Sequence, residues 1–398
     1  MKLLIIGINY APEPTGIAPY TTGLAAGLVR EGVRVRVITG YPHYPQWRVA
    51  DGYSGSSRVE TIDGVRVHRV RHYVPRNPGL VNRAVMELIF GVRAVLSRWG
   101  GPDVVVFVTP ALFSTRIALL KARLLHQRRV VWVQDIYSAG IAETGRGGAL
   151  AARALHAVER STLQAADSVV VIHERFKRHL VADLGIDGER IAVVRNWSHL
   201  SEVDGSERDA IRAERGWSDD DIVVLHAGNI GAKQGLENVV RASQLADSGR
   251  SSVRFVMLGD GNQRAALLEL GTNSRLEYID PLPDAEFRAT LGAADILLVN
   301  ERPGLKEMCV PSKLTSYFST GLPVIASTDE GSITAEELAR SGAGPRVDAG
   351  DPAALLAAAE ELGAQPWRRA ELGAAGRSFK RDHLAQDAAI SAFHSLLP

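Results

Sequence analysis

The chain of 398 residues has a single cysteine and no excess of charge of either sign. Because Cys309 has no partner, no internal disulfide can form, and nothing points to an oxidising compartment. Lysine and arginine number 46 against 45 acidic residues, so the formal net charge is only +1. This balance argues against a nucleic-acid partner held by bulk charge.

Long apolar runs are also missing. No segment approaches the roughly 18 apolar residues that a membrane span needs. The apolar start of the chain is short and meets the polar Asn9 at once, which favours a first β-strand over a signal peptide. His and Cys residues do not cluster at metal-ligand spacing, so we expect no transition-metal site. We expect a cytoplasmic protein.

Short apolar strands alternate with longer amphipathic helices in two similar halves of the chain. This alternation is typical of parallel sheets covered by helices, and the length suits two cores. We predict an N-terminal domain over residues 1–200, a polar linker over 201–221, a C-terminal domain over 222–375 and a final helical segment over 376–398. The predicted strands span 2–9, 33–39, 104–108, 130–133, 169–172 and 191–194, then 222–226, 253–258, 276–279, 296–300 and 323–326.

Glycine-containing loops follow the first strand of each half. The loop from Gly7 to Gly16 would let backbone N–H groups approach an anion, although a plain turn fits it equally well. Its spacing is not the dinucleotide fingerprint, so a nicotinamide cofactor is not indicated. The three glycines and Lys233 in residues 227–235 suit a diphosphate, the alternative being a tight turn with a solvated lysine. Gly259 ends the next strand and would most simply supply a turn.

The segment from residue 300 to 327 carries the strongest signal. Pro311 suits the first turn of a helix and Gly321 suits the position just after its end. Such a helix would begin at the carboxyl edge of the sheet with its positive dipole end outward. Lys313 in the first turn opposes that dipole unless an anion lies between them. A surface lysine beside a helix start is the simpler alternative.

Two segments of the first half are candidates for contact with a ring-shaped ligand or with a membrane. Tyr41, His43 and Trp47 lie in an aromatic stretch that could stack on sugar rings, or could form a packed loop. Residues 81–99 mix apolar side chains with arginines. Such a basic amphipathic helix could rest on an anionic membrane, although a helix covering the first sheet is the simpler interpretation.

The chain resembles the retaining GT-B glycosyltransferases of family 4, the group 1 glycosyltransferases, over nearly its whole length. Within them it is similar to the colanic-acid and exopolysaccharide branch. The resemblance implies two Rossmann-like domains facing across a cleft. It also implies a nucleotide-sugar donor in the C-terminal domain, an acceptor mainly in the N-terminal one, and a last helix that crosses back to the first domain. The resemblance rests on residues 10–16, 75–78, 134–135, 228–235 and 311–327.

The resemblance also implies roles for single residues. Transfer would retain the anomeric configuration without a metal ion or cofactor, and Lys313 and Lys233 would stabilise the leaving diphosphate. Asp135 would orient the acceptor, or would simply cap the segment after its strand. Acceptor binding is assigned to Tyr41, His43 and Trp47, and donor binding to Gly16, Gly228, Asn229, Gln234, Gly259, Glu307, Pro311, Ser312 and Ser316.

Some positions depart from the family pattern. Met308 and Ser316 stand where many members have two glutamates, and Glu307 lies one residue earlier. Asn229 and Gln234 stand where many members have arginine and lysine. Two alternatives therefore stay open: a nucleotide-sugar epimerase or hydrolase of the same fold, and a non-catalytic scaffold that partners an active transferase. The branch implies a saccharide or lipid-linked acceptor and peripheral contact with the inner membrane face.

Overall fold

The structure is a computed structural model that describes residues 1–14, 16–138, 148–198, 203, 205–305 and 312–397. It divides into two compact units. The first unit comprises Met1–Trp197 together with Gln386–Pro398, and the second comprises Ser198–Ala385. Each contains one mostly parallel sheet with covering helices, which confirms the predicted pair of doubly wound α/β domains.

The described part of the first unit forms a sheet in the order β3-β4-β2-β1-β5-β6-β7-β8. All neighbouring strands are parallel except β3 and β4. The central strands are built from buried valine and isoleucine, as expected for a sheet covered on both faces. The strands are β1 Lys2–Ile6, β2 Arg34–Gly40, β3 Ser57–Ile62, β4 Val65–Val70, β5 Val104–Val108, β6 Arg128–Val133, β7 Ser168–Val171 and β8 Ile191–Val193.

The helices of the first unit include the last helix of the chain, α14. The core packs Ile390 and Phe393 of α14 against the central strands. At Gly27 a Cβ would lie 2.1 Å from Ile390 Cδ1, so glycine permits the close approach. The helices are α1 Ala18–Arg30, α2 Leu80–Leu96, α3 Leu112–Leu124, α4 Gly148–Gln164, α5 Glu174–Ala182 and α14 Gln386–Ser395, with a 3-10 turn at Gly188–Arg190.

The hairpin formed by β3 and β4 is absent from the predicted strands. Its tight turn contains Asp63 and Gly64, whose φ angles are 48° and 77°. An Asp-Gly pair between alternating apolar residues is a strong hairpin signal. The sequence therefore carried the information, and the strand prediction overlooked it.

In the second unit, the described residues form a sheet in the order β11-β10-β9-β12-β13-β14 with parallel pairing throughout. The strand order switches sides between β9 and β12: β10 and β11 are added on one side of β9, and β12 to β14 on the other. Open α/β sheets bind ligands at such a switch point. The strands are β9 Ile222–Ala227, β10 Val253–Leu258, β11 Leu276–Ile279, β12 Ile296–Asn300, β13 Val324–Ser327 and β14 Arg346–Val347. The helices are α6 Arg208–Arg215, α7 Glu237–Ser248, α8 Arg264–Glu269, α9 Asp284–Ala293, α10 Ser312–Tyr317, α11 Ile333–Ser341, α12 Pro352–Gly363 and α13 Pro366–His383.

The segment predicted as a linker contains the helix α6. Arg212 on that helix is 5% exposed and donates to Asp295 Oδ2 at 3.1 Å. Asp221, at the end of the same segment, pairs with Arg254 and Arg275. The segment predicted as a polar linker over residues 201–221 thus contains a packed helix from Arg208 onward. Several of its inward-facing positions hold charged residues that form ion pairs instead of apolar residues. The sequence therefore lacks the apolar periodicity that would have predicted a helix.

Candidate functional site

Two glycine turns meet at the carboxyl edge of the second sheet. Gly228 follows β9 with φ 117°, and Gly259 follows β10 with φ 133°. A Cβ on Gly259 would lie 2.1 Å from the carbonyl oxygen of Gly228. Because the backbones touch, these positions exclude any larger residue.

Lys313 lies beside the turn at Gly228 and contacts a buried histidine. Its Nζ is 2.7 Å from Nε2 of His226, the penultimate residue of β9. Burial lowers the pKa of His226 well below its usual value, so the ring is neutral. Its Nδ1 donates to the carbonyl oxygen of Leu298 at 3.3 Å, which leaves Nε2 as the acceptor for the lysine.

The environment of Lys313 makes its charge easy to remove. Desolvation lowers the pKa of its ammonium to about 7, while the nearby carboxylate of Glu301 acts in the opposite direction. Burial in turn raises the pKa of Glu301, whose oxygens accept hydrogen bonds from Thr328 and Thr334. An anion near Lys313 would hold the ammonium in its charged form.

The other predicted donor residues fall into three groups. Gln234 is used locally, because its Oε1 accepts a hydrogen bond from the Gly231 amide at 3.1 Å. Asn229 and Lys233 are exposed beside the glycine turn, and Ser316 is half-buried on α10. Glu307, Pro311 and the side chain of Ser312 lie outside the described residues, as does Met308.

The predicted helix after Pro311 is shorter in the structure. The helix α10 ends at Tyr317, and Gly321 follows a turn with φ 70°. A helix of six residues carries a small dipole, so Lys313, rather than the helix start, would attract an anion here.

In the first unit, the carboxylate of Glu13 organises the carboxyl edge of the sheet. Its side chain is 5% exposed and accepts hydrogen bonds from the backbone amides of His43 and Tyr44 at 2.8 and 2.9 Å. It also accepts a hydrogen bond from Asn9 Nδ2 at 2.8 Å. One buried carboxylate thus joins the loop after β1 to the loop after β2.

Two further buried carboxyl groups hold loops at strand ends by accepting hydrogen bonds from backbone amides. Glu87 accepts a hydrogen bond from the Phe113 amide at 2.9 Å, and burial raises its pKa to about 8. Glu159 accepts hydrogen bonds from the backbone amides of Tyr137 and Ser138 at 2.8 and 3.1 Å. These residues fix the loops that follow β5 and β6.

The three aromatic candidates for acceptor binding differ in their exposure. Tyr41 is 1% exposed and donates its hydroxyl to the Ser54 carbonyl at 2.7 Å. His43 is 3% exposed and its Nδ1 is 2.9 Å from the Tyr41 carbonyl. Trp47 is only half-buried, with the guanidinium of Arg83 4.8 Å from its ring. Of the three, Trp47 alone keeps partly exposed surface, while Tyr41 and His43 support the loop.

Asp135 and Gly16 lie at the same edge of the first sheet. Asp135 is half-buried and follows β6 by two residues, next to Gln134, whose Oε1 accepts a hydrogen bond from Asn196. Gly16 is exposed, and a Cβ there would lie 3.3 Å from the ring of Tyr44. The loops after β1, β2 and β6 all follow carboxyl ends of parallel strands.

The sequence reasoning missed His226, Glu301 and Glu13. A signal existed for His226 and Glu301, because each is a polar residue at or just after the end of an otherwise apolar strand. These two strands, β9 and β12, flank the point where the strand order switches sides. Glu13 carried no such signal, since the backbone amides that it holds, those of His43 and Tyr44, are 30 and 31 residues away in the chain.

Neither a metal site nor a membrane span emerges from the described part of the chain. Within those residues, no three His, Cys, Asp or Glu side chains are grouped so that they could hold a metal ion. No helix there has the length and apolar character needed to cross a bilayer.

Comparisons with known proteins agree with this architecture. Residues 15–197 match the model of the glycosyl transferase 4-like domain, and residues 221–365 match that of the glycosyl transferases group 1. WcaI of Escherichia coli K12, described as a glycosyl transferase of colanic acid biosynthesis, is 34% identical over 81% of this chain and 82% of its own. The chain therefore belongs to the group 1 glycosyltransferase family, and it is a glycosyltransferase.

Solved structures show the same fold. A sucrose-phosphate synthase from Thermosynechococcus elongatus superposes with a TM-score of 0.74 at 17% identity, covering 99% of this chain and 98% of that one. HepE from Anabaena, solved in complex with UDP, superposes with a TM-score of 0.73 at 13% identity over 100% and 99% of the two chains. The predicted GT-B fold, with its two Rossmann-like domains, is confirmed.

Proposed function

We propose that this glycosyltransferase moves a hexosyl or deoxyhexosyl group from a nucleotide-diphosphate sugar to a saccharide, lipid-linked or small-molecule acceptor. The observation that carries the donor assignment is the position of Lys313. It is desolvated and lies beside two glycine turns where the strand order of the second sheet switches sides. A bound diphosphate would place negative charge next to the Lys313 ammonium and stabilise its charged form. HepE, which has the same fold, was solved in complex with UDP, and this supports a nucleotide donor for the present chain.

The proposed reaction retains the configuration at the anomeric carbon and uses no metal ion or cofactor. The bond from the anomeric carbon to the diphosphate breaks, and a bond to the acceptor oxygen forms on the same face. The acceptor proton passes to an oxygen of the leaving diphosphate. Lys313 and Lys233 stabilise the developing negative charge, and Asp135 orients the acceptor hydroxyl.

Thermal unfolding with nucleoside diphosphates tests the donor site. Purified protein is heated with saturating UDP, GDP, ADP, CDP or dTDP, and one nucleotide is expected to raise Tm by several degrees. Ligand at a hundred times its Kd adds about 2.7 kcal/mol of stability, which is large enough to detect. The Lys313→Ala variant should lose most of this shift. If none of the five nucleotides changes Tm, the donor assignment is wrong and the scaffold alternative is favoured.

Product analysis then separates the remaining alternatives. With the matching nucleotide sugar and an acceptor, we expect a new glycoside whose anomeric configuration, measured by NMR coupling, equals that of the donor. EDTA should not change the rate. Free sugar or an isomerised donor formed without acceptor would instead indicate the hydrolase or epimerase alternative.

A further inference from the structure

The ring of His226 is buried at the carboxyl end of β9, and both of its nitrogens have a partner. The residue is 1% exposed. Its Nδ1 donates to the carbonyl oxygen of Leu298 on the neighbouring strand β12, and its Nε2 is 2.7 Å from Nζ of Lys313. The backbone of β12 thus sets the orientation of the ring, and the ring in turn sets the position of the ammonium.

The stem of Lys313 is held as closely as its ammonium. A Cβ on Gly228 would lie 3.1 Å from Cε of Lys313, so the side chain passes against the glycine turn. The helix that carries the lysine is fixed to β9 through Tyr317, whose hydroxyl accepts a hydrogen bond from the Ala227 amide at 2.9 Å. An unrestrained lysine loses side-chain entropy when it binds an anion. A lysine held in this way has lost most of that entropy during folding, so less is lost on binding.

A neutral ring suits this position better than a carboxylate would. Burial and the nearby charge of Lys313 both lower the pKa of His226, so the ring accepts the hydrogen bond without carrying a charge. An aspartate or glutamate in its place would also accept the hydrogen bond, but its negative charge would offset that of the ammonium and repel an incoming phosphate. A neutral acceptor therefore orients the lysine and leaves its positive charge available for a ligand.

The neighbouring titratable groups do not take over the function of the ring. Glu301 acts on Lys313 through its charge, but its oxygens accept hydrogen bonds from two threonine hydroxyls. Burial raises the pKa of Tyr317, so its hydroxyl stays protonated and neutral. Among the residues that the structure describes, His226 is the side chain in hydrogen-bonding contact with Nζ of Lys313. The order of the ammonium therefore depends on His226.

We propose that His226 is a positioning residue of this glycosyltransferase: its ring holds the ammonium of Lys313 at the carboxyl end of β9 before the donor arrives. The lysine then meets the leaving diphosphate without first having to be ordered, and no proton passes to or from the histidine. The inference rests on the proposed function and deepens it, because it gives a role in transfer to a buried residue that acts through Lys313.

NMR of Lys313 in the full chain without nucleotide tests the contact directly. Lysine labelled with 13C at Cε is incorporated, and the signal missing from Lys313→Arg identifies Lys313. In the wild type we expect two distinct Hε shifts, as for an ordered side chain, and a titration midpoint near pH 7. In His226→Leu the two shifts should merge, and the midpoint should rise towards the ordinary value of about 10, because an ammonium without its buried acceptor turns to water. Wild-type shifts and midpoint in His226→Leu would overturn the proposal.

Kinetics measure what the contact contributes to transfer. His226→Leu should lower kcat/KM by about 10- to 100-fold, because a displaced stabilising group can cost that much in rate. His226→Gln keeps a neutral acceptor near the position of Nε2 and should recover most of the loss. In His226→Leu the fall of donor affinity above about pH 7 should disappear, since a solvated lysine keeps its charge to higher pH. An equal loss of rate in both variants, with the pH dependence kept, would instead indicate a purely structural residue.

A matched control separates positioning from the loss of a buried histidine. His173 of the first unit is also 1% exposed, and its Nδ1 accepts a hydrogen bond from the Arg175 amide. His173→Leu should lower Tm, as His226→Leu does, but should leave the Hε shifts and the midpoint of Lys313 unchanged. A wild-type protein that binds no nucleoside diphosphate would contradict the proposed function. Normal nucleotide binding with an unaltered Lys313 in His226→Leu would contradict the positioning role alone.

Discussion

The carboxyl edges of the two sheets differ in the residues that form them. In the second unit, glycine turns bring backbone against backbone, and the charged group beside them is Lys313, which has lost much of its hydration. In the first unit, Glu13, Glu87 and Glu159 are buried carboxyl groups that accept hydrogen bonds from the amides of neighbouring loops. The second edge thus holds a desolvated cation, whereas the first edge holds acidic groups whose oxygens are hydrogen-bonded.

This difference separates two kinds of function for a buried charge. A carboxylate whose oxygens are already hydrogen-bonded to backbone amides stabilises the native loops and has little capacity left for a ligand. A lysine that contacts a neutral histidine and is partly deprotonated gains most from an incoming anion. We therefore expect substitution of Lys313 to affect activity, and substitution of the buried glutamates at the first edge to affect stability.

The largest effect is expected for Lys313→Ala. Transfer should slow by about 10- to 1000-fold, as for the loss of one group that stabilises charge in the transition state. Stability should change little, because the lysine is already desolvated in the native state. Steady-state kinetics and urea unfolding measure the two quantities. Lys313→Arg should retain part of the rate, and Lys380→Ala serves as the matched control; an unchanged rate in folded Lys313→Ala would refute the role.

The opposite pattern is expected for Glu13→Ala. Removing the carboxylate leaves the amides of His43 and Tyr44 without their acceptor, which should lower the free energy of unfolding by about 2–4 kcal/mol. Nucleotide binding should largely survive, because Lys313 and the turns at Gly228 and Gly259 belong to the other unit. Chemical denaturation and calorimetric titration with the nucleotide provide the measurements. Asp51→Ala, at a carboxylate that is 95% exposed, should change stability by less than about 0.5 kcal/mol. Loss of nucleotide binding in Glu13→Ala would contradict the conclusion that Glu13 acts only on stability.

A smaller effect is expected from pH on donor affinity. Lys313 is charged below its pKa of about 7 and neutral above it, and a bound diphosphate stabilises the charged form. Affinity for the nucleotide sugar should therefore fall as pH rises above about 7, by up to about tenfold per pH unit. His226 is neutral throughout this range, and Glu301, whose pKa burial raises, interacts with Lys313 and contributes to the midpoint. Titration calorimetry from pH 6 to 9 measures the slope, and Lys313→Arg should abolish it. An equal slope in that variant would place the titrating group elsewhere.

Much of the fold was predictable because its signals are local. Valine-rich strands, amphipathic helices and the glycines after β9 and β10 are visible as periodicity and turn chemistry within a few residues. The predicted strands differ from the observed ones mainly at their ends, as at β1, which ends at Ile6 rather than Asn9. The hairpin at Asp63 and the helix α6 were missed, the first through an overlooked turn signal and the second because buried ion pairs interrupt its apolar pattern.

The candidate site was predictable only in part. Lys313 was identified from its place in the chain, but its partner His226 lies 87 residues away and meets it only when α10 packs beside β9. The aromatic stretch was also identified, yet burial divides it into Tyr41 and His43 as supports and Trp47 as the ring with exposed surface. Burial is a property of the packed molecule, so no pattern of neighbours along the chain could have made that division.

Composition and periodicity alone establish a pair of doubly wound α/β domains with glycine turns after their strands and a lysine near one of them. They also predict that residues 81–99 form an amphipathic helix. Packing decides the rest: which lysine loses its water, which carboxylates hold loops, and which side of α2 is buried. The physical reason is that strand and helix formation depend on neighbouring residues, whereas desolvation and hydrogen bonding depend on groups that the fold brings together from distant parts of the chain.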